Sequence, residues 1–393
     1  MSSINPTPRD YNKASVLDVV LSHAPLTRNK LIELTGLSKA TVSRAVEELR
    51  SDGFVVDGGV DAVAGRGRPS TYLDVPETAG HVVGVGFGAV TTSVLVTDLR
   101  GREIGHVIVP TAEHHDVPAA GRWLVDLIAQ TSASARGPLR QVVVALPAHV
   151  RDGAEVFRPA DPMKIFAGRD LQRTVEQLVD TPVILDSDAN ASLLQVLTDD
   201  ASIRNAALFS VSSTLNFATC KDRELARGRT PAFGDIGSLS SGSSGIDDRT
   251  LNGLLSTAGL VKLAREHGLD IERVEDLWLA PQDRRARAEI LKAFTTAVTT
   301  AVSIVAVTLD PESVYFVGRL RPLVDEVLPE VRKRLEQILP VIPRITTVSQ
   351  VLGLSVARGA VHACLAMTDN RLRDALLKAR SQGPRQEQAA PAF

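Results

Sequence analysis

From Leu26 to Val55 the chain reads LTRNKLIELTGLSKATVSRAVEELRSDGFV, and its apolar positions recur at helical spacing in two short blocks. Thr27 is placed to cap a first helix that turns Leu31, Ile32 and Leu34 toward a core. Gly36 supplies the permissive backbone of a turn, and Leu37 plugs the gap between the helices. Ser38 then caps a second helix whose Val42, Ala45, Val46 and Leu49 lie on one face. That leaves Lys39, Ala40, Thr41, Ser43 and Arg44 on the free N-terminal face. A helix-turn-helix puts this part of its second helix into the DNA major groove, where short polar and basic side chains fit. The pattern is also met by an ordinary helical hairpin with a solvated face.

Beyond Gly53, Phe54-Val55-Val56 and Thr71-Tyr72-Leu73 are expected to form the two strands of a wing, and Gly65-Arg66-Gly67-Arg68-Pro69 lies between them. Arg66 and Arg68 suit an A·T-rich minor groove, or phosphate contacts alone. Acids and bases balance over 1–75, but Arg28, Lys30, Lys39, Arg44, Arg66 and Arg68 gather where a DNA face would be. Lys39, Ala40, Ser43 and Arg44 are assigned to base edges, and Ser38 and Thr41 to phosphates. The expected partner is a double-stranded DNA operator, roughly palindromic, read by a homodimer or tetramer.

The alternation continues past Gly80 in another form. Residues 81–90 and 91–98 read as a β-hairpin, with a third strand over 104–109 and a helix over about 119–134. Buried strands follow at 141–145 and 183–185, the latter ending where DSDANA (186–191) opens a helix. A further hairpin covers 206–211 and 214–220, and helices dominate after Asn252, broken by a strand at 313–317. Strands followed by alternating helices and strands, twice over, describe an α/β protein of two related lobes.

Composition adds bounds. Charged residues make up 23%, apolar residues 44% and aromatics 4%, so aliphatic side chains must fill a large core, and the net charge of −2 does not mark a general polyanion binder. No apolar run is expected to span a bilayer, and MSSINPTPRD lacks the apolar stretch of a signal peptide, so a cytoplasmic protein without membrane contact is expected. Cys220 and Cys364, far apart, read as reduced core thiols. His114-His115 reads as a solvated loop, and Trp123 and Trp278 as core or lobe contacts.

Over about 13–376 these features resemble the ROK family, which unites sugar-responsive repressors and sugar kinases on the actin-like ATPase fold. DSDANA resembles the family's N-D-A-N-A, FGDIGS its G-E-x-G-H, TLNGLLS its C-L-E-x-x-x-S, and the winged helix with GRGRP its repressor branch. The resemblance implies an N-terminal winged helix-turn-helix over 1–75 followed by a two-lobed actin-like ATPase domain over 76–380. Lobe 1 is expected at about 80–188 plus the C-terminal helix, lobe 2 at about 189–365, and a disordered tail at 381–393.

The same resemblance implies an effector site at Ser187, Asp188, Asp235, Ser238 and Asn252, of which only Asp188 keeps the family's residue. A small polar effector, a modified sugar or sugar phosphate, is expected there. A cleft that binds nothing, in a constitutive or partner-controlled regulator, is the alternative. Kinase chemistry is not expected, and no catalytic residue is assigned. The family's first phosphate loop begins with an acid where this chain has Gly86, and its glycine-rich second loop is Ser213-Thr214-Leu215-Asn216-Phe217-Ala218-Thr219 here. The family's zinc-binding cysteines are replaced in Leu239–Thr250 by a Ser/Gly loop, expected to be flexible, so no metal or other cofactor is expected.

Overall fold

A capping box opens the described chain. Thr7 Oγ1 accepts from the Asp10 N–H, the Asp10 carboxylate accepts from the Thr7 N–H at 2.8 Å, and Pro8 occupies the first turn. They launch helix α1 (Pro8–His23), an element absent from the sequence reading. The computed structural model describes residues 6–60, 71–230, 232–241, 249–279, 283–349 and 353–378.

Strand β1 (Leu26–Thr27) leads into α2 (Arg28–Thr35) and α3 (Lys39–Ser51). Thr27 caps α2 through the Lys30 N–H, Ser38 caps α3 through the Thr41 N–H at 3.2 Å, and Gly36 takes the left-handed conformation between them, with φ 66°. Leu31, Val42, Ala45, Val46 and Leu49 are buried as expected. Leu34 is not: it is 40% exposed. Ile32 packs on the core and lies roughly 160° around the helix from Leu34, so the two cannot share a face.

The wing also differs. Strand β2 runs Val56–Val60 rather than 54–56, and pairs with the central strand β3 (Thr71–Asp74). Val55 is drawn into the core, and the Arg140 guanidinium covers the Phe54 ring at 5.7 Å. Packing thus claims the residues that β propensity assigned to pairing. The Gly65–Pro69 segment with Arg66 and Arg68 lies outside the described residues, as does the 381–393 tail.

Two five-stranded sheets form the rest. The first orders β10-β7-β4-β5-β6 and comprises β4 (His81–Phe87), β5 (Thr91–Asp98), β6 (Glu103–Pro110), β7 (Leu139–Leu146) and β10 (Val183–Ser187). A small hairpin, β8 (His149–Arg151) with β9 (Glu155–Phe157), stands at the end of β7. The second orders β13-β12-β11-β14-β15 and comprises β11 (Ala206–Val211), β12 (Leu215–Lys221), β13 (Glu224–Leu225), β14 (Ser313–Val317) and β15 (Arg344–Thr347). Each sheet has a three-stranded antiparallel meander continued by parallel strands, as the two-lobe reading requires.

Helices α4 (Val117–Thr131) and α5 (Asp170–Val179) cover the first sheet. His114 is not solvated as expected: its ring packs 5.2 Å from that of Trp123. Helix α6 (Asp188–Asp199) crosses to the second lobe, where α7 (Leu251–Leu254), α8 (Thr257–Glu266), α9 (Asp276–Leu279), α10 (Arg284–Leu309) and α11 (Arg321–Ile338) follow. Helix α10 corrects one expectation, because by length and composition it is apolar enough to cross a membrane. Its Ile290, Phe294, Val298, Val302 and Val305 face the second-lobe core, which accounts for that composition. Cys220 and Cys364 are both buried and free.

The last helix, α12 (Ser355–Lys378), returns to the first sheet and packs on β4, β7, α6 and α1. Its approach depends on missing side chains. A Cβ on Gly84 would stand 2.2 Å from Ala357 O, and one on Gly359 would stand 1.7 Å from Ala191 O. One apolar cluster therefore runs from Leu17 and Val20 of α1 through Leu31 and Leu49 to Val82, Ala357 and Cys364.

Within this seam Asp369 is driven up to about 6, chiefly by desolvation and then by Asp18, itself raised by burial despite Arg373 at 3.8 Å. A carboxyl raised in the fold favours the folded state below its unfolded pKa, and that contribution is lost as pH rises through about 6. Asp369→Asn should raise the melting temperature relative to the parent at pH 7.5, with the difference vanishing below about pH 4; thermal unfolding at both pH values checks this.

Candidate functional site

The start of α3 is open to solvent. Lys39, Ala40 and Arg44 are exposed and Ser43 is half-buried. Lys39 and Arg44 have no acidic partner among the described residues, and the positive end of the helix dipole lies beside them. Arg28, expected on the same face, instead pairs with Glu47 at 3.0 Å, and Lys30 pairs with Glu33 at 2.7 Å. The Ser38 and Thr41 hydroxyls lie 2.9 Å apart, bonded to each other.

The five residues expected to hold an effector fall into three neighbouring cavities. Asp235, Ser238 and Asn252 line the largest, about 730 Å³, with His149, Arg158 and Lys262. Asp188 lines a cavity of about 210 Å³ with Gly86, Gly88, Ser210 and Gly318. Ser187 lines a third of about 410 Å³, and its hydroxyl is engaged in capping α6 by accepting from the Asn190 N–H at 3.0 Å. His149 belongs to the walls of both the first and third cavities. Three of the residues are thus brought together, and two are set apart.

Each polar group has a partner that defines what it can do. Ser238 Oγ donates to the Asp235 carboxylate (2.8 and 2.9 Å), and Arg158 bonds both residues across the cavity. His149 Nε2 stands 3.9 Å from Asp235 Oδ1, yet burial lowers the His149 pKa, keeping the ring toward its neutral form. Asn252 Oδ1 accepts from Thr214 Oγ1 (2.8 Å) and from the Leu215 N–H (2.7 Å), leaving its amide NH₂ for the cavity. Asp188 accepts from Ser210 Oγ (2.8 Å) and Asn216 Nδ2 (2.7 Å); desolvation nevertheless pushes it up to about 6.

Gly86 supplies no ligand for a magnesium nucleotide. A Cβ on Gly86 would lie 2.7 Å from Ser93 Oγ and 3.1 Å from Val356 Cβ, so an acid there would press on Ser93 and on the first turn of α12. The Leu215 N–H, in the segment that would cradle phosphate, is already taken by Asn252. Nor do the described ends of the Leu239–Thr250 loop suit zinc. They carry Ser240, Ser241, Arg249 and Thr250, and the Ser241 N–H bonds Arg249 O at 2.8 Å. Residues 242–248, most of the loop expected to be flexible, lie outside the described residues.

The fold and this interlobe site together define the class. Residues 82–363 match the model of the ROK family, so the chain belongs to the ROK family, and residues 7–65 match a model described as the MarR family. A xylose repressor of Caldicellulosiruptor bescii is 25% identical over 234 residues, covering 58% of each chain. The chain thus aligns to little more than half of that relative. Among solved structures, a ROK family transcriptional regulator described as a homologue of the E. coli MLC protein superposes with a TM-score of 0.73 at 16% identity, covering 93% of this chain and 98% of its own. A ROK family glucokinase from Streptomyces griseus, in complex with glucose and AMPPNP, superposes with a TM-score of 0.58 at 18% identity, covering 72% and 99%. Regulators and kinases share this fold, an N-terminal winged helix-turn-helix on a two-lobed actin-like domain here.

Arg158, His149 and Lys262 were missed by sequence reading. Arg158 adopts φ 41° in a loop and reaches a carboxylate 77 positions away in the chain, a proximity that no local pattern encodes. Asp188 offers a direct test of the site's electrostatics. Its raised pKa means that the fold prefers the protonated form, so stability falls as pH rises through about 6. Asp188→Asn, which can keep both hydrogen bonds, should melt higher than the parent at pH 8 and no higher below about pH 4 in parallel thermal scans.

Proposed function

We propose that this chain is a DNA-binding transcriptional regulator, a repressor, in which a small polar effector binds between the lobes and no phosphoryl transfer takes place. The observation that carries the reading is the unpaired cationic start of α3, mounted through α1 and α12 on a lobe whose Gly86 stands where the fold's first phosphate loop carries an acid. The match of residues 7–65 to the MarR family and the likeness to a xylose repressor and to a ROK family transcriptional regulator support it. In this reading residues 1–75 form the reader and 76–380 the sensing and oligomerising unit, active in the cytoplasm as a homodimer or tetramer on a palindromic operator. Lys39, Ala40, Ser43 and Arg44 face base edges, Ser38 and Thr41 face phosphates, and Arg66 and Arg68 enter the minor groove. Arg28 acts only when Glu47 releases it.

The effector takes the cavity of Asp235, Ser238 and Asn252. Lys262 and Arg158 suit an anionic substituent and the Asn252 NH₂ a hydroxyl, which favours a sugar phosphate. A second reading, a regulator with a closed cleft, draws on the Arg158 bonds to Asp235 and Ser238, which satisfy those groups without a ligand.

The Lys39→Ala/Arg44→Ala double variant should lose at least about tenfold in affinity for an operator selected from random duplexes, with a shallower salt dependence and an unchanged melting temperature. Equal affinity in fluorescence anisotropy would sink the reader assignment. In the same assay, release of that DNA by a pentose, hexose or sugar phosphate, lost in Asp235→Ala, supports the sensor; release that survives Asp235→Ala removes the cavity from it.

A further inference from the structure

The free face of α3 carries one residue that does not suit a polyanion. At about 100° per residue, Ala40, Arg44 and Glu47 fall within roughly 60° of one another. All three are exposed, and they stand opposite the buried stripe of Val42, Ala45, Val46 and Leu49. Glu47 thus puts a carboxylate at the centre of the face assigned to base edges. Beside phosphates a bare acid would cost affinity for every duplex.

The structure holds that carboxylate in a way that answers the cost. From α2, Arg28 Nη2 donates to Glu47 Oε1 at 3.0 Å, and Arg50 Nη1 donates to both carboxylate oxygens at 3.1 Å. Arg50 Nη2 donates in turn to Asp57 Oδ1 of β2 at 2.6 Å, which ties the arrangement to the wing strand. Exposed ion pairs of this kind add little stability. The two guanidinium groups do neutralise the acid, and Arg50 fixes where it points. The Glu47 side chain is still 56% exposed, and its Oε2 accepts from Arg50 alone among the described residues. A compensated, oriented acceptor therefore remains open on the reading face.

We propose that Glu47 is a cytosine reader, accepting from the N4 amino group of one C·G pair in each half-site. The proposal rests on the placement of α3 in the major groove given above. An ionised carboxylate only accepts, and the major groove offers it two donors, cytosine N4–H and adenine N6–H. Adenine carries the N7 acceptor beside N6, which repels a second acceptor, whereas the edge of cytosine carries none. On docking, Arg28 leaves Oε1 for a phosphate and the cytosine amino group takes its place, while Arg50 keeps its hold.

The test is selection from random duplexes by the full chain and by Glu47→Ala and Glu47→Gln, followed by fluorescence anisotropy on the selected operator and on duplexes changed at single positions. The parent is expected to select cytosine at one position per half-site and to lose at least about fivefold in affinity when that pair alone is changed. Glu47→Ala should accept any base there and keep the parent's preference everywhere else. Glu47→Gln should move the preference to adenine, whose N6 and N7 a glutamine meets together. Glu47 is exposed, so both variants should melt with the parent. The proposal is overturned if either variant keeps the cytosine preference. It is overturned equally if Glu47→Ala binds every duplex more tightly by one common factor, the result of merely removing a negative charge. If Lys39→Ala/Arg44→Ala weakens the operator while the Glu47 variants select the parent's sequence, the reader stands and Glu47 is only an ion-pair partner. If the parent selects no sequence at all, the reader and the cytosine contact both fall.

Discussion

Everything in this molecule hangs on the packing of α12. The helix lies so close to β4 and α6 that two glycines, Gly84 and Gly359, are needed where backbone meets backbone. Close approach of this kind excludes side-chain buffering, so the helix can move little against the sheet without opening voids. Its other side packs on α1, and the apolar cluster passes without a break from the first lobe into the winged helix. The small winged helix thereby gains a core larger than its own residues could provide.

That arrangement has consequences at the cleft. The first turn of α12 brings Val356 close to Gly86, on the wall of the cavity that also holds Asp188. The polar residues that remain are turned to other uses. Asn252 caps the Leu215 N–H, Arg158 bridges Asp235 and Ser238, and Asn216 links Asp188 to the neighbouring cavity. Three adjoining cavities line the space between the lobes, and their walls share residues or hydrogen bonds.

Much of the fold was legible in the sequence. The strands at 81–98, 141–145, 183–185 and 206–220 stood out as apolar runs bounded by turns, and Thr27, Gly36 and Ser38 announced the paired helices through capping and turn chemistry. The start of α1 carried an equally plain signal in Thr7, Pro8 and Asp10 that went unread. Leu34 and the wing strand were misplaced because tertiary packing, not propensity, decided between near-equivalent positions. The site was less legible. Family motifs singled out Asp188, Asp235 and Asn252, which stand on cavity walls, but the separation of Asp188 and Ser187 from the others arises from how the two sheets face each other. Arg158 and Asp235 meet only through that tertiary arrangement.

The central claim is that α1, α12 and the first-lobe sheet form one cooperative unit. Native-state hydrogen exchange of the full chain, with and without Leu17→Ala, tests it most directly. Leu17 is fully buried, and truncating such a residue costs about 2–5 kcal/mol. The account predicts that the most protected amides of α1, α12 and β4 open with a common free energy, and that Leu17→Ala lowers all of them by the same amount. If α1–α3 exchange at a lower free energy and Leu17→Ala affects only those helices, the winged helix is an independent unit and the account is contradicted.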